Sequence, residues 1–400
     1  MGTATAAAAP LPARPAWAVE LECVRAAASV LVMFYHSRLP GAQGFLFDCT
    51  TLIWMMMDSF FVLSGFLIGR GLLGTRGRPD YFSNFYARRA LRIMPLYYLV
   101  LGSVMAVSVM IEGGSRYAEM TASWGSPWWF VTFLANIPLA YRGVWAPVSS
   151  LMPLWSLQVE VQFYLLVPIA FRYLEGRSLR RFLWGLAVLS PLFRAVAYWA
   201  APGNDMIQYV LLPCRMEGFA FGMLVAEKLS RPALPGFSKR HLAQMAGLAW
   251  VAAICWGALN GLERTTPGNR TLGYLFSSIA SALTVWRLSL GDTGRLYRWI
   301  AAPPVLFLAR ISYAIYVVHI PVFNVVSRVI RRLDPRYVDT PVSILCGVLS
   351  AILVAWLAET TIGLMLSRRR RRNQNRDDAR PRTEPETAPS RTRAPAPGPA

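Results

Sequence analysis

The sequence predicts an all-α fold, a polytopic transmembrane helical bundle of about ten spans, and three observations carry that prediction. Apolar residues fill 55% of the 400 positions and charged residues only 16%, a balance that excludes an ordinary soluble domain. The apolar residues gather into runs near the ~20 residues that one bilayer crossing requires. The cations sit between those runs and in the C-terminal tail, and almost all are arginine, Lys228 and Lys239 being the exceptions. That is the positive-inside pattern and not a basic groove, so the net charge of +20 does not point to nucleic acid. The bias toward Arg, Ala, Gly and Pro fits a GC-rich bacterial genome, and the plasma membrane is the expected location.

Runs of spanning length fall at roughly 18–39, 50–73, 93–111, 153–172, 182–201, 206–228, 242–260, 271–290, 303–327 and 341–366. A shorter apolar piece, 124–140, carries Pro127, Trp128, Trp129, Asn136 and Pro138. If it does not cross, the loops with Arg76 to Arg92, Arg177 to Arg181, Lys228 to Arg240 and Arg295 to Arg298 share one side with the run Arg368 to Arg372. If it crosses, the charge asymmetry disappears. The piece is therefore expected to be re-entrant or interfacial, with both termini cytoplasmic; the segment with Arg331, Arg332 and Arg336 runs against the rule. Residues 1–17 lack a charged start and a continuous apolar core, which predicts a disordered N-terminus and no cleaved signal. Residues 18–366 form the membrane domain, and 367–400, rich in Arg, Pro and Ala, are expected as a disordered basic cytoplasmic tail. Cys23, Cys49, Cys214, Cys255 and Cys346 are scattered without metal-ligand spacing, so neither a disulfide framework nor a metal site is expected.

Ionisable side chains inside apolar runs are costly and usually functional. His36 and His319, two of three histidines, lie in such runs with Arg25, Asp58 and Glu160. Arg25 and His36 are eleven residues apart, about three turns plus 20°, so they share a helix face roughly 16 Å apart. Ser156, Glu160 and Tyr164 share a face of the fourth span, and Ser312 and His319 one of the ninth. Counting ~1.5 Å per residue from the helix ends puts His36, Asp58, Glu160 and His319 in one layer of the outer half, where the carboxylates need partners among the histidines or arginines.

At the opposite face, Arg89 and Arg92 stand one turn apart at the mouth of the third span. They fit anchors on lipid headgroups, and equally guanidinium forks for a phosphate-bearing ligand. Trp124, Trp128, Trp129 and Trp145 fit interfacial anchoring and sugar stacking alike.

Taken in order, Arg25 with His36, the block Asp58-Ser59-Phe60-Phe61-Val62-Leu63-Ser64-Gly65, Phe85 with Arg89, Arg92 and Pro95, and Trp155-Ser156 through Glu160 to Pro168 form a pattern. It continues through Arg215 with Gly218 and Gly222, Ile311-Ser312 through His319 to Pro321, and Glu359. This pattern resembles the membrane-bound acyltransferase-3 family, bacterial O-acyltransferases that modify sugars of polysaccharides, glycolipids and some antibiotics. Met57 departs from what the family usually carries before that aspartate. Some members append an extracytoplasmic esterase-like domain; without one, transfer falls to the membrane domain or a partner.

The resemblance implies an enzyme that takes an acyl group, often acetyl, from acyl-CoA to a hydroxyl, with no permanently bound cofactor. Its expected partners are membrane lipids, acyl-CoA and a hydroxyl-bearing acceptor, most simply a carbohydrate. Arg89 and Arg92 then suit the coenzyme A phosphates and the Arg25 to His36 face its pantetheine arm. His36 is the candidate general base, Asp58 or Glu160 its orienter, and His319 an aid to acceptor or leaving thiolate. A covalent acyl-enzyme on Ser64 or Ser156 stays open beside helix packing. The rival reading is a transporter of acyl compounds or small carboxylates, since buried charges among ten spans also suit a permeation path.

Overall fold

In the computed structural model, which describes residues 16–37, 50–110, 118, 126–231, 237–291 and 301–378, every regular element among the described residues is helical. Trp124, Arg295 to Arg298, most of the N-terminal segment and residues 379–400 lie outside the described residues. The helices are α1 (Ala16–His36), α2 (Met56–Thr75, entered through a 3-10 turn), α3 (Tyr81–Met110), α4 (Trp128–Val131), α5 (Asn136–Arg142), α6 (Leu154–Tyr173) and α7 (Gly176–Ala200). They continue with α8 (Met206–Val210), α9 (Met216–Leu229), α10 (Lys239–Leu259), α11 (Tyr274–Ser289), α12 (Pro303–Leu333) and α13 (Pro341–Asp378). The last helix thus continues through the arginine run into the segment expected as tail.

Among the described residues, seven helical stretches are long and apolar enough to cross a membrane: Leu52–Thr75, Tyr81–Met110, Ser149–Tyr173, Gly176–Ala200, Lys239–Leu259, Pro303–Leu333 and Pro341–Met365. The other three predicted spans are helical but modified by charge or breakage. α1 carries Glu20, Glu22 and Arg25 in its first half. The run 206–228 is broken between α8 and α9, where Pro213 sits in a 3-10 turn and Arg215 leaves helical geometry at φ −130°. The run at 271–290 starts in a π-turn, Asn269–Gly273, which leaves α11 only 16 residues. The chain is a multi-pass membrane protein in which, among the described residues, seven of the ten expected spans meet the length and hydropathy requirement.

The piece 124–140 does not form a spanning helix. α4 and α5 are one and two turns long, separated by a bend at Phe133, whose φ is 58°. Asn136, fully buried, explains how a polar residue belongs here. It donates to Gln162 Oε1 at 3.2 Å and to the Val210 carbonyl at 3.1 Å, while Gln162 donates back at 2.8 Å. α5 is thereby pinned to α6 and α8.

Among the described residues, contacts join several of the arginine-bearing loops to one another. Arg76 pairs with Glu175 at 3.2 Å and donates to the Phe171 carbonyl, joining the α2–α3 and α6–α7 loops. Arg180 pairs with Glu227 at 3.3 Å, and Lys239 donates to the Gly291 carbonyl. The tightest helix pair, α2 on α9, rests on glycines: a Cβ at Gly65 would overlap the Phe219 backbone, and one at Gly222 the Val62 backbone. Small residues let membrane helices approach this closely.

Candidate active site

A cavity of about 90 Å³ lies among α1, α2, α3, α6 and α12. α1 supplies Arg25, and α3 supplies Arg89 and Arg92 at one-turn spacing. From α6, Ser156, Glu160 and Tyr164 all line it, the shared face their spacing predicts. Glu160 Oε1 accepts hydrogen bonds from the hydroxyls of Ser64 and Tyr164. The Arg89 guanidinium lies 5.5 Å from the Tyr164 ring centroid and 5.7 Å from that of Phe85. Three guanidinium groups, those of Arg25, Arg89 and Arg92, and one carboxylate, that of Glu160, line the cavity, while Glu22 and Glu359 also act electrostatically on Arg25. Cations in excess along the cavity wall are the polarity that attracts an anion.

Met57 and Tyr316 line this cavity and also a second one, of about 130 Å³, whose walls include His36, Trp54, Trp145, Trp155, Tyr209 and Arg264. Both shared side chains are buried. Tyr316 is held in place: its hydroxyl donates to the Pro153 carbonyl at 3.0 Å and shares a 2.7 Å hydrogen bond with Ser156 Oγ. The two cavities therefore meet at a fixed wall.

At the second cavity the two histidines are in contact, His36 Nδ1 lying 3.2 Å from His319 Nε2. Their hydrogen bonds assign the ring protons. His319 Nδ1 faces the carbonyls of Tyr316 and Ile315 at 2.8 and 3.2 Å, and carbonyls only accept, so Nδ1 carries the proton. His319 Nε2 is then an acceptor. His36 Nδ1, 3.0 Å from the Val32 carbonyl, carries its own proton and donates it toward that carbonyl and toward His319. His36 is exposed and His319 fully buried, so His36 is the ring of the pair that faces outward, with His319 behind it.

The carboxylates expected beside these histidines go elsewhere. Asp58, Val62 and Gly65 fall on the face of α2 that packs on α9, so Asp58 meets Arg215, whose Nη2 donates to Oδ1 at 2.7 Å. Ser277 donates to Oδ2, and the Arg215 guanidinium stacks 3.9 Å from the Tyr274 ring centroid. A second buried pair, Arg194 with Glu217, adjoins it, and Arg194 also donates to the Cys214 carbonyl at 2.6 Å. This network ties together α2, α7, α9 and α11. Glu160 faces Ser64 and the arginines, on the other side of the Tyr316 wall from His36. The one layer of four ionisable residues is thus three separate groups, and His319 takes the orienting position beside His36.

Sequence reasoning passed over Arg264, Tyr209 and Tyr316. Arg264 had a usable signal, an arginine in a loop on the side where the charge pattern places few. Its guanidinium donates to Asp205 at 2.5 Å and lies 4.1 Å from the Tyr209 ring centroid.

The model of a family described as an acyltransferase domain matches residues 19–360. The chain is similar to the peptidoglycan O-acetyltransferase OatA of Listeria monocytogenes, 25% identical over 333 residues, covering 79% of this chain and 51% of that protein. It is also similar to the O-acetyltransferase OatA of Staphylococcus aureus, 22% identical over 362 residues, covering 86% and 56%. The chain spans about half the length of these curated relatives. No solved structure matches it. With the match running over most of the chain, and through every group that lines the two cavities, the chain belongs to the acyltransferase-3 family.

Proposed function

We propose that the chain is a bacterial plasma-membrane O-acyltransferase, both termini cytoplasmic, that moves a short acyl group from acyl-CoA to a hydroxyl of a carbohydrate. The observation that carries this reading is the shared wall: an arginine-lined cavity backs, across Met57 and Tyr316, onto a cavity holding an oriented imidazole. Arg89 and Arg92 hold the coenzyme A phosphates from the cytoplasmic end, and the Arg25 to His36 face runs beside the pantetheine arm. The acceptor hydroxyl gives its proton to His36 Nε2 as its oxygen attacks the thioester carbonyl. The carbon–sulfur bond then breaks, and His36 returns the proton to the leaving thiolate. The products are the acyl ester and free coenzyme A. His319 Nε2 accepts from His36 Nδ1–H throughout, so the charge arriving on His36 meets an aligned acceptor.

That the Listeria relative is a peptidoglycan O-acetyltransferase supports a glycan acceptor. The test is direct: purified protein in liposomes, given acyl-CoA and a saccharide, should release coenzyme A thiol and form an ester seen by mass spectrometry. Passage of the acyl compound with its thioester intact is the transporter outcome and would overturn the proposal.

A further inference from the structure

The arginines at the far end of α12 run against the positive-inside pattern, and acyl transfer makes no use of them. α12 passes the arginine-lined cavity at Ser312 and Tyr313, meets His36 through His319 and runs on to Leu333, so Arg328, Arg331 and Arg332 lie beyond the histidine pair. In the topology proposed above this is the outer leaflet, where loop orientation gives no reason for cations. Arg336 nearby is paired with Asp334 at 2.7 Å, and Asp339 lines a separate small cavity with His36 and Ser343. Arg331 and Arg332 are exposed and, among the described residues, meet no carboxylate.

On the membrane side of these arginines a cavity of about 430 Å³ lies among α3, the segment before α6, α12 and α13. α12 lines it with Pro321, Val325 and Arg328, spaced four and three apart and therefore on one face, and that face continues one turn on through Arg331 and Arg332. From Pro321 to Arg328 the wall runs two turns, ~10 Å along the helix axis. Val104 and Val107 of α3 and Val354 of α13 complete it. Asn324, a polar side chain of the same wall, donates to the Ser149 and Ser150 hydroxyls at 3.1 and 2.9 Å, which leaves the valines to face the space. Val325 and Val354 are exposed on the bundle surface, so the cavity opens sideways into hydrocarbon. The α13 wall is fixed before any ligand arrives, because α13 touches α12 at Gly347, where a Cβ would come 2.9 Å from the Phe323 ring.

A slot walled by valine and rimmed by guanidinium groups matches one kind of molecule, a lipid whose hydrocarbon chain fills the slot and whose phosphate meets the forks. A choline headgroup would bring a cation of its own to the same arginines, whereas a headgroup of net negative charge does not. We propose that this cavity is a binding site for an anionic phospholipid of the outer leaflet, with one acyl chain along Val104, Val325 and Val354 and the phosphate at Arg331 and Arg332. α12 also carries Tyr316 and His319, so an occupied slot braces the helix that holds them. The closing experiment uses full-length protein in detergent, with phosphatidylglycerol and phosphatidylcholine of identical chains as probes, read by native mass spectrometry and thermal melting. Phosphatidylglycerol should bind one site about tenfold or more tighter than phosphatidylcholine and should raise the melting temperature more. The double variant Arg331→Gln, Arg332→Gln should bring the two lipids within about twofold of each other. Val104→Phe, which narrows the slot, should weaken retention of both. Arg177→Gln with Arg181→Gln, at the other end of the bundle, should leave the preference intact. Glycerophosphoglycerol, the same headgroup without chains, should not displace the lipid. Equal retention of the two lipids by the wild-type protein, a preference that survives the Arg331 and Arg332 changes or is lost in the Arg177 and Arg181 variant, unchanged retention in Val104→Phe, or displacement by the chainless headgroup would overturn the site. None of these readouts involves acyl transfer, so their failure leaves the enzyme reading untouched.

Discussion

Replacing His36 with Gln separates proton transfer from packing, because the structure makes the two costs very different. His36 closes α1, is exposed, and bonds to the Val32 carbonyl and to His319. Losing such contacts at an exposed helix end costs about 0.5–1.5 kcal/mol of stability. Losing a general base costs about 10²–10⁴ in rate, or about 2.7–5.4 kcal/mol of barrier. Turnover should therefore collapse while folded protein persists. His319→Gln is the companion variant. It keeps a polar side chain but loses the aligned Nε2 that faces His36, a hydrogen bond to a charged group in the transition state worth about 1.5–3 kcal/mol, or about 10- to 150-fold in kcat. Because His319 acts through His36, the double variant should fall no further than His36→Gln. The assay is coenzyme A thiol release per mole of monodisperse protein recovered from size exclusion. Near-normal turnover in His36→Gln at normal abundance, or fully additive losses in the double variant, would refute the proton-transfer assignment.

Arg89→Ala and Arg92→Ala should raise the KM for acyl-CoA more than that for the acceptor, and lysine at either position should restore little, since a point charge does not reproduce the fork; equal rescue by lysine points to lipid anchoring instead. Asp58→Asn strands the buried Arg215 cation and should cost about 3–5 kcal/mol of stability, read as a lower melting temperature and lower yield, with the surviving protein still active. Surviving protein that is folded but inactive would return Asp58 to the catalytic groups. Reporter fusions in the loops after Arg76, Arg177 and Lys228 should all report the cytoplasmic side, because contacts join these loops at one end of the bundle; one loop reporting the opposite side would overturn the topology.

Periodicity made the faces of single helices legible: Ser156, Glu160 and Tyr164 do line one cavity, and Arg25 and His36 do stand along one side of α1. It could not make partners legible. Asp58 and Arg215 are 157 residues apart, and which of several buried cations meets a buried carboxylate depends on which helix faces which. The glycines held that information, since Gly65, Gly218 and Gly222 mark the faces of α2 and α9 that touch, and Asp58 lies on the same face as Gly65. Read with the glycines, Asp58 is assigned to the α9 interface before any fold is known, which removes it from the histidine layer. Depth counting within 18–39, 50–73, 153–172 and 303–327 is equally silent on which neighbour each ionisable group faces. The break in 206–228 was legible, since Pro213 and the pair Arg215 and Glu217 already argue against a continuous helix there.

Tyr316 shows the remaining limit. Its spacing from His319 puts it one turn away, an ordinary aromatic on a buried helix face. Its place follows only once α1, α2, α6 and α12 are packed together, because a wall between two cavities is a property of four helices at once. The same packing sets an arginine-lined cavity and the cavity at His36 against a shared wall, with the buried, doubly hydrogen-bonded Tyr316 between them. In the proposed transfer that wall is where the donor arm and His36 have to come together, since Met57 and Tyr316 line both cavities.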